Sequence, residues 1–494
     1  MKKFFVVIGV AVLMAAIAVP ASAQFKTWGS MQIAGAWIQN QDFNDGGRPS
    51  HRISSPQGKD QDLNYKSIWQ RFNYFLQYGD PKTVRAVIGF EADSTDWGEP
   101  TRAAAGANPG EGDYMGGSNT DKNMLGIKWA FIEFMVPNTP LQVTAGIQNF
   151  AYGGRLVEGQ DSMGLSVAAL FAPHKITAMW YRRNDDPTFP TPIGTTPATF
   201  TYSTSNYTGR LNYHVNDFYA VKYDLVQKAF NVQAYFSYQN DLYTGYQTTV
   251  VGADQFADHP WWLGANFTVM PGNFTIYGQA VYKGGKREYE GATLAHPKDV
   301  DYSAWAAELE VKYKIGPGMY VIGEGYYATG NDADKTDKSK MYTITPGSEA
   351  NSSFSMRRSV FMWMNFAEFA NQHQKNYDIG GFYYLRAAFE YAPTTWLNLI
   401  ANYLYIGDTS KGNASLAAPR SVNSGFGART DSDEDFHGHE INVIANLKIY
   451  ETLMLNLGAG MFIPGKVYEQ PVTATTGNSN DTAYTGVAKL VYAF

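Results

Sequence analysis

Hydrophobic and polar residues alternate with a period of two along most of the chain, as they do in strands that have one apolar face and one polar face. In the stretch DYSAWAAELEVKYKIG (301–316), for example, Trp305 lies on one face and Glu308 on the other. The same alternation recurs in NYDIGGFYYLRAAFEYA (376–392) and HEINVIANLKIY (439–450). These patterns predict an all-β protein whose strands separate charged side chains from aromatic ones.

The connections between these strands are of two kinds, short turns and long polar segments. Tight turns are predicted at 79–81, 137–140, 172–174, 271–273, 316–318, 392–394 and 451–452. Long polar segments are predicted at 39–63, 94–123, 241–259, 331–375, 409–435 and 464–483. Short turns at one end and long loops at the other are typical of an outer-membrane barrel, with the turns in the periplasm. We therefore predict a transmembrane antiparallel up-and-down β-barrel.

The number of strands follows from a parity argument. A simple count gives about nineteen strand-like segments, but both ends of such a chain lie in the periplasm, which requires an even number. If Gln227-Lys228-Ala229 is a turn, segment 202–214 becomes part of a loop and the count falls to about eighteen. Sixteen and twenty strands remain alternatives. Closure also requires the last strand to pair with the first, which is predicted around Thr27–Gln39.

The composition fits a barrel better than a secreted soluble enzyme. The chain has 34 Tyr, 29 Phe and 11 Trp, yet its mean hydropathy is only −0.31. Strands that alternate lipid-facing and water-facing residues combine these two properties. The chain has 0 Cys, which excludes a disulfide framework and Cys-ligated metal. Its net charge of −6 argues against a nucleic-acid partner.

The N-terminal residues have the layout of a secretory signal peptide. Lys2 and Lys3 precede an uninterrupted apolar run, and the small residues Ala21-Ser22-Ala23 follow it. We predict that residues 1–23 are cleaved and that residues 24–494 form one exported barrel domain. No apolar run of about 18 residues, the length of a transmembrane helix, follows the cleavage site.

The final residues YTGVAKLVYAF resemble the C-terminal signature of Gram-negative outer-membrane barrels, in which a glycine precedes apolar residues at alternate positions and a final Phe. Gly486, Leu490, Tyr492 and Phe494 match it. The resemblance implies insertion into the outer membrane, with its lipid and lipopolysaccharide, by the barrel-assembly machinery that recognises the strand ending at Phe494. Together with the strand pattern, it covers the whole mature chain and implies a porin, a diffusion channel for small hydrophilic solutes or ions.

A second, local similarity lies in AGIQNFAYGGRLVEGQD (145–161), which resembles the inward-loop region of the alginate-export and specific-porin families. Those families often carry Gly-Arg-Gln at this place, whereas this chain has Gly146-Ile147-Gln148. Because this arginine is missing, the similarity does not decide whether the substrate is a polysaccharide. A substrate-specific or polysaccharide-export channel is therefore an alternative to a general porin.

Alternation also predicts which charged side chains face the interior of the barrel. Arg71 and Arg85 lie on strands joined by one tight turn and are expected to form a basic patch. The predicted pore-lining or constriction residues are Arg71, Arg85, Glu91, Asp93, Arg155, Glu158, Asp161, Glu308, Glu310, Lys312, Lys314, Arg386 and Glu390. The same reasoning places Glu324, Asp378, Glu440 and Lys448 on the inner face. The two signs are nearly balanced, so the sequence shows no ring of one charge.

Two segments are candidates for folding into the channel. Segment 149–163 follows a strand, is rich in glycine and carries Arg155, Glu158 and Asp161, so it is the predicted constriction. Opposed charges at a narrowing would orient charged solutes. Segment 357–369, RRSVFMWMNFAEF, is too apolar for an ordinary extracellular loop and either plugs the channel mouth or packs against other loops.

The sequence predicts neither a cofactor, a metal site nor a catalytic site. His437 and His439 share a face in this interpretation but have no third ligand, and no G-x-S-x-G, HExxH or P-loop motif is present. A barrel that encloses a partner protein and an outer-membrane hydrolase remain alternatives. The transported solute and the oligomeric state stay open, with a homotrimer suggested only by analogy to other channels.

Overall fold

The structure is a computed structural model in which alternation translates directly into strands. It describes residues 25–39, 65–96, 125–154, 156–188, 212–244, 256–289, 299–331, 337–345, 358–360, 380–409, 435–466 and 482–494. The first nine strands are β1 Lys26–Gln39, β2 Tyr65–Asp80, β3 Val84–Asp96, β4 Gly126–Met135, β5 Leu141–Tyr152, β6 Glu158–Phe171, β7 His174–Thr188, β8 Asn212–Val226 and β9 Phe230–Thr244. The others are β10 Phe256–Val269, β11 Phe274–Tyr289, β12 Val300–Gly316, β13 Met319–Ala328, β14 Lys338–Ser339, β15 Phe382–Tyr391, β16 Leu397–Asp408, β17 Phe436–Tyr450, β18 Leu453–Pro464 and β19 Ala483–Ala493.

These strands close into a ring. Each long strand pairs antiparallel with its neighbours in the chain, and β1 pairs with both β2 and β19. The two-residue β14 stands outside the ring because it pairs in parallel with the start of β12. The described residues therefore form a closed antiparallel barrel of 18 strands, which confirms the predicted fold class and decides between the alternative counts.

The two ends of the barrel differ as the sequence predicted. At one end, which we call the turn end, short turns join the strands, including the predicted turn between β8 and β9 at 227–229. Long connections occupy the opposite end, which we call the loop end. Some boundaries were wrong: Asn212–His214 belongs to β8 rather than to a loop, because its residues continue the pairing with β7. The predicted loop 241–259 likewise begins within β9 and ends within β10. No helix among the described residues is long and apolar enough to cross a membrane.

Side chains alternate between the outside and the inside of the barrel. On β12, Trp305 and Leu309 are 43% and 50% exposed on the outside, whereas Glu308 is 5% exposed on the inside. On β15, Leu385 is exposed outside and Arg386 is buried inside. An apolar exterior around a polar interior reverses the arrangement of a soluble protein and is characteristic of barrels that cross membranes.

The C-terminal residue takes part in closing the ring. The Gly29 N–H donates to the Phe494 carbonyl oxygen at 2.9 Å, and the Phe494 N–H donates to the Gly29 carbonyl oxygen at 3.1 Å. The Phe494 ring stacks on Phe72 and Tyr74 of β2, with centroids 6.4 and 6.2 Å apart. The chain thus reaches its last residue within the barrel wall.

Candidate functional site in the barrel lumen

The end of the β5–β6 hairpin leaves the wall and enters the lumen. The pairing of β4 with β5 stops at Ala130 opposite Ile147, and that of β6 with β7 stops at Met163 opposite Arg182. Beyond those pairs the two strands continue to pair with each other up to Tyr152 opposite Glu158. We call residues 148–162 the inward hairpin, because its tip contacts β9 and β11, which are not its neighbours in the ring.

The tip of the inward hairpin docks on β9 and β11. The Gly153 N–H donates to Gln233 Oε1 at 2.8 Å, and Gln279 Nε2 donates to the Gly153 carbonyl oxygen. Gly153 and Gly154 have φ angles of 70° and 55°, which favour glycine. A Cβ on Gly154 would lie 2.7 Å from both Gln279 Oε1 and the Tyr277 hydroxyl. The glycine pair therefore allows the tip to approach β9 and β11 closely.

A buried carboxylate fixes the base of this tip. Glu158 is an ion-pair partner of Arg183, with 2.5 Å between Oε1 and Nη2, and its side chain is fully buried. Tyr181 and Thr345 also donate hydroxyl hydrogen bonds to Glu158 Oε2, at 2.6 and 2.7 Å. The Arg183 guanidinium lies 4.5 Å from the centre of the Phe218 ring. A buried charge with this many partners holds its segment in place, since loss of the partners would leave it unsolvated.

A second chain segment, residues 341–345, packs against the inward hairpin. The Tyr342 hydroxyl donates to the Leu156 carbonyl oxygen at 2.5 Å, and the side chain of Tyr342 is completely buried. Burial raises the pKa of Tyr342 well above its ordinary value, so the phenol stays a neutral donor. On the wall side, Trp262 Nε1 donates to the Thr343 carbonyl oxygen at 3.1 Å. The segment is thus enclosed between the hairpin and β10.

A third element, Arg358–Val360, is anchored to acidic residues of the wall. Arg358 lies 2.7 Å from Glu310 and 2.9 Å from Glu324, and 3.6 Å from Glu308. Glu324 in turn forms an ion pair with Arg386 of β15. The three carboxylates and Arg386 project inward from β12, β13 and β15. The acidic residues that the sequence placed on the pore wall therefore hold a segment inside the lumen.

The two residues after Arg358 complete this anchor. The Ser359 hydroxyl donates to Glu440 Oε2, and the Val360 N–H donates to Glu440 Oε1 at 2.9 Å. Val360 is 0% exposed and packs in one apolar cluster with Ile400, Ile444 and other inward residues. Parts of 331–375 and of the apolar segment 357–369 therefore lie inside the barrel, and the long segment is not wholly extracellular. Residues 361–369 lie outside the described residues.

One side of the lumen keeps partly exposed side chains. We call the inward residues of β2, β3 and β4 the open face. Arg85 pairs with Glu133 at 2.7 Å and is 26% exposed, and Lys128 pairs with Glu91 at 2.9 Å and is 19% exposed. Lys128 also lies 3.0 Å from Asp161 of the inward hairpin. Paired charges of both signs line this face, next to the hairpin that narrows the lumen.

Aromatic rings lie between these ion pairs. Phe75 stacks on Trp28 at 5.4 Å between centroids and contacts Trp129 at 4.6 Å. Trp129 Nε1 donates to Asp161 Oδ1 at 2.8 Å, which joins the open face to the hairpin a second time. The open face therefore combines charged and aromatic surfaces on one wall.

The structure separates some predicted residues that the sequence grouped together. Arg85 lies opposite Gly79, eight positions along β2 from Arg71, or about 27 Å at the usual strand rise. The predicted basic patch of Arg71 and Arg85 is therefore wrong, because the strands are too long for both to lie near the turn. Two other predicted pore-lining residues lie on β12. Lys312 pairs with Glu390 at 2.7 Å, and Lys314 is exposed near the turn end.

Several expected residues lie outside the described part of the chain. Arg155 and Asp378 are among them, and the side chain of Asp93 is not described although its backbone belongs to β3. The predicted constriction at 149–163 lies mostly within β5 and β6, with Glu158 and Asp161 on β6.

The expectation that His437 and His439 share a face is wrong. Gly438 has a φ of 142°, and the pairing of β16 with β17 shifts by one residue there. His437 is buried 3.6 Å from Asp408, whereas His439 Nδ1 is hydrogen-bonded to the Tyr403 hydroxyl at 2.7 Å on the outside. A bulge of this kind reverses the direction of every preceding side chain on its strand.

Sequence reasoning missed several residues that hold the inner segments. These are Lys128, Glu133, Arg183, Gln233, Gln279, Thr345 and Arg358. Lys128 and Arg183 lie at strand irregularities, where the alternation on which the prediction depended breaks. Gln233 and Gln279 do lie on inward faces, but an uncharged side chain in a strand gives no signal of its partner. Arg358 lies in a segment whose pattern is dominated by apolar residues.

Comparisons with known proteins return similarity of fold only. No family model matches the sequence, and no curated protein matches it. Among solved structures, Acinetobacter baumannii OccAB4 is 12% identical with a TM-score of 0.48, covering 96% of this chain and 100% of that chain. Pseudomonas aeruginosa OpdQ is 9% identical with a TM-score of 0.47, covering 95% and 98%. The outer membrane channel DcaP of Acinetobacter baumannii is 12% identical with a TM-score of 0.39, covering 96% and 99%. At this level, function has to be inferred from the chain's own residues.

Proposed function

We propose that this protein is a porin of the Gram-negative outer membrane, through which small hydrophilic solutes or ions diffuse. The observation that carries the proposal is the inversion of the barrel, with apolar side chains outside and ion pairs inside. Barrels of about 16–18 strands leave room for an aqueous channel. In this chain the inward hairpin and the segments at 341–345 and 358–360 occupy part of that room, and the open face borders what remains.

The route for solutes in this proposal runs along the open face. Arg85 with Glu133, and Lys128 with Glu91, offer charged groups of both signs to a passing solute. The inward hairpin contacts this face through Asp161 and therefore borders the route. Size is selected by the space that the inner segments leave beside the open face, and charge by the groups that border that space.

The alternatives have less support. A barrel that encloses a partner protein needs a wide and unobstructed lumen, but three inner segments lie in this one. A hydrolase needs a nucleophile beside a base, and among the described side chains the inward His437 lies beside Asp408 rather than beside a serine. Export through a signal peptide, insertion through the strand ending at Phe494, contact with lipopolysaccharide and trimer formation are parts of the proposal that the porin class suggests.

Reconstitution of the purified full-length protein into planar bilayers tests the proposed function. We expect discrete, long-lived conductance steps, because the barrel is closed and its interior is polar. Heat-unfolded protein from the same preparation is the control and should give no steps. A folded protein that inserts but conducts nothing would contradict the channel and favour a sheath or an anchor.

A further inference from the structure

Three aromatic side chains form a row across the inner wall of β1–β4. Trp28 of β1 lies opposite Phe75 of β2. Phe75 lies opposite Gly89 of β3, which in turn lies opposite Trp129 of β4. Opposed residues of neighbouring strands point to the same side of a sheet, and Trp129 contacts Asp161 of the inward hairpin, so the three rings face the lumen. We call Trp28, Phe75 and Trp129 the aromatic row.

Gly89 makes room for the middle ring of this row. A Cβ at position 89 would lie 2.4 Å from Phe75 Cδ1 and 3.3 Å from Trp129 Cβ. The Phe75 ring therefore occupies the place that a side chain at 89 would take, against the backbone of β3. The planes of Phe75 and Trp28 are nearly parallel, with 12° between them. The middle of the row thus lies against the wall and supports a tryptophan on either side.

The two tryptophans keep part of their surface exposed to the lumen. Phe75 is 7% exposed between them, whereas Trp28 and Trp129 are half-buried. In the filled part of the lumen, by contrast, inward rings such as Tyr181 and Phe218 are 0% exposed. The two indoles therefore present uncovered apolar surface along the route that the proposed function requires.

Hydrogen-bonding side chains border the aromatic row on both edges. Toward the turn end, Arg85 Nη1 donates to Gln77 Oε1 at 3.0 Å, and Arg85 Nε donates to Glu133 Oε1 at 2.7 Å. Toward the loop end, Lys128 Nζ lies 2.9 Å from Glu91. Each edge thus offers both donors and acceptors, while neighbouring charges of opposite sign largely cancel.

We propose that the aromatic row is a binding subsite for neutral sugars, whose pyranose rings carry C–H groups on their faces and hydroxyl groups around their edges. The inference rests on the proposed function, and it adds a class of solute to the channel. A sugar ring that lies on Trp28 or Trp129 turns its hydroxyl groups toward the two polar edges. Small-molecule sites typically combine apolar and aromatic surface with a few placed polar groups in this way.

Other classes of solute fit this surface less well. A plain aromatic ring has no hydrogen-bonding groups around it, so it would displace water from the ion-paired edges without replacing the hydrogen bonds. A simple inorganic ion gains nothing from the apolar faces of the indoles, and the charges of Arg85 and Lys128 are already paired. A neutral hydroxylated ring uses the aromatic and the polar surfaces at once.

The row is long enough for more than one sugar ring. It crosses three strand spacings of about 4.8 Å each. The strands of such barrels are tilted by about 35–45° from the axis, so a row across four strands also advances along the axis. Trp28 lies near the start of β1 at the turn end, whereas Trp129 contacts the inward hairpin. We therefore expect a disaccharide to bind more tightly than a monosaccharide.

Block of the ionic current by maltose tests this inference in the reconstituted full-length protein. We expect maltose to reduce the open-channel current of the wild type with saturation, whereas sorbitol, which has hydroxyl groups but no ring, reduces it only through viscosity. Trp28→Ala should raise the half-blocking concentration of maltose several-fold, because one of the two exposed indoles is lost. Trp28→Phe keeps an aromatic face and should lie between the two.

Trp37 provides the matched control, because it lies on the same strand but on the outside, where it is 38% exposed and opposite Gly486. Trp37→Ala should keep the wild-type block. A conducting wild type that maltose does not block, or equal block in Trp28→Ala, would overturn the inference and leave the channel intact. Stronger block by free tryptophan than by maltose would assign the row to aromatic solutes and overturn it as well. Absence of any conductance would overturn the proposed function, and the inference with it.

Discussion

Replacing residues 149–161 by an Asn-Gly turn is expected to raise the single-channel conductance several-fold. The inward hairpin projects into the lumen and docks on Gln233 and Gln279, so its removal widens the route. The ion pair of Asp161 with Lys128 is lost as well, which frees the open face. Conductance of the shortened protein in planar bilayers, compared with the wild type in the same salt, measures the effect.

The shortened barrel should still close. Gln148 and Ser162 are opposite each other, so a two-residue Asn-Gly turn suits the connection between them. The pairs that join β5 and β6 to the wall begin at Ile147 and Met163, outside the deletion. Placing an Asn-Gly pair at 138–139, in the turn between β4 and β5, is the control and should leave the conductance nearly unchanged. Equal conductance of the shortened and wild-type proteins would show that the hairpin does not limit the current.

Substituting Arg358 with alanine is expected to release the segment at 358–360 from the wall. Removing one partner of a buried ion pair costs about 3–5 kcal/mol, because the remaining charge loses its compensation. Here Glu310 and Glu324 would both lose Arg358, and Arg386 would remain beside them. We expect a larger mean conductance with frequent fluctuations, measured as the variance of the open-channel current.

The barrel wall itself should survive this substitution, since its strands are joined by their own backbone hydrogen bonds. Lys286→Ala is the control, because Lys286 and Glu288 form an exposed ion pair, and exposed ion pairs contribute little to stability. Arg358→Lys keeps the charge but loses the planar contacts with two carboxylates, so an intermediate effect is expected. A quiet current of wild-type size in Arg358→Ala would mean that the segment does not depend on this anchor.

The strand pattern could be predicted because alternation is a local property repeated along the whole chain. Each strand carries its own signal, and the turns at 79–81 and 392–394 mark their ends without knowledge of the rest of the fold. The requirement for an even number of strands then assigned the surplus strand-like segment before β8 to a loop. Closure through Phe494 followed from the same reasoning, since a barrel leaves no unpaired edge.

The contents of the lumen could not be predicted in the same way. The direction of the inward hairpin depends on where β4 and β7 stop pairing with it, and no residue within 148–162 encodes that limit. Arg358 finds its partners on β12 and β13, whose relation to it appears only in the closed barrel. The bulge at Gly438 shows a further limit, because one added residue reverses the face of His437.

Ions are expected to pass through the lumen along the open face. Because the chain has 0 Cys, single cysteines can be introduced there and their access to a thiol reagent measured. Asn73 and Tyr74 are neighbours on β2, with Asn73 opposite the inward Glu91 and Tyr74 stacked on Phe494 at the outer surface. We expect a bulky, water-soluble thiol reagent to reduce the single-channel current of Asn73→Cys and to leave that of Tyr74→Cys unchanged. Block of both variants alike, or of neither, would contradict the proposed route.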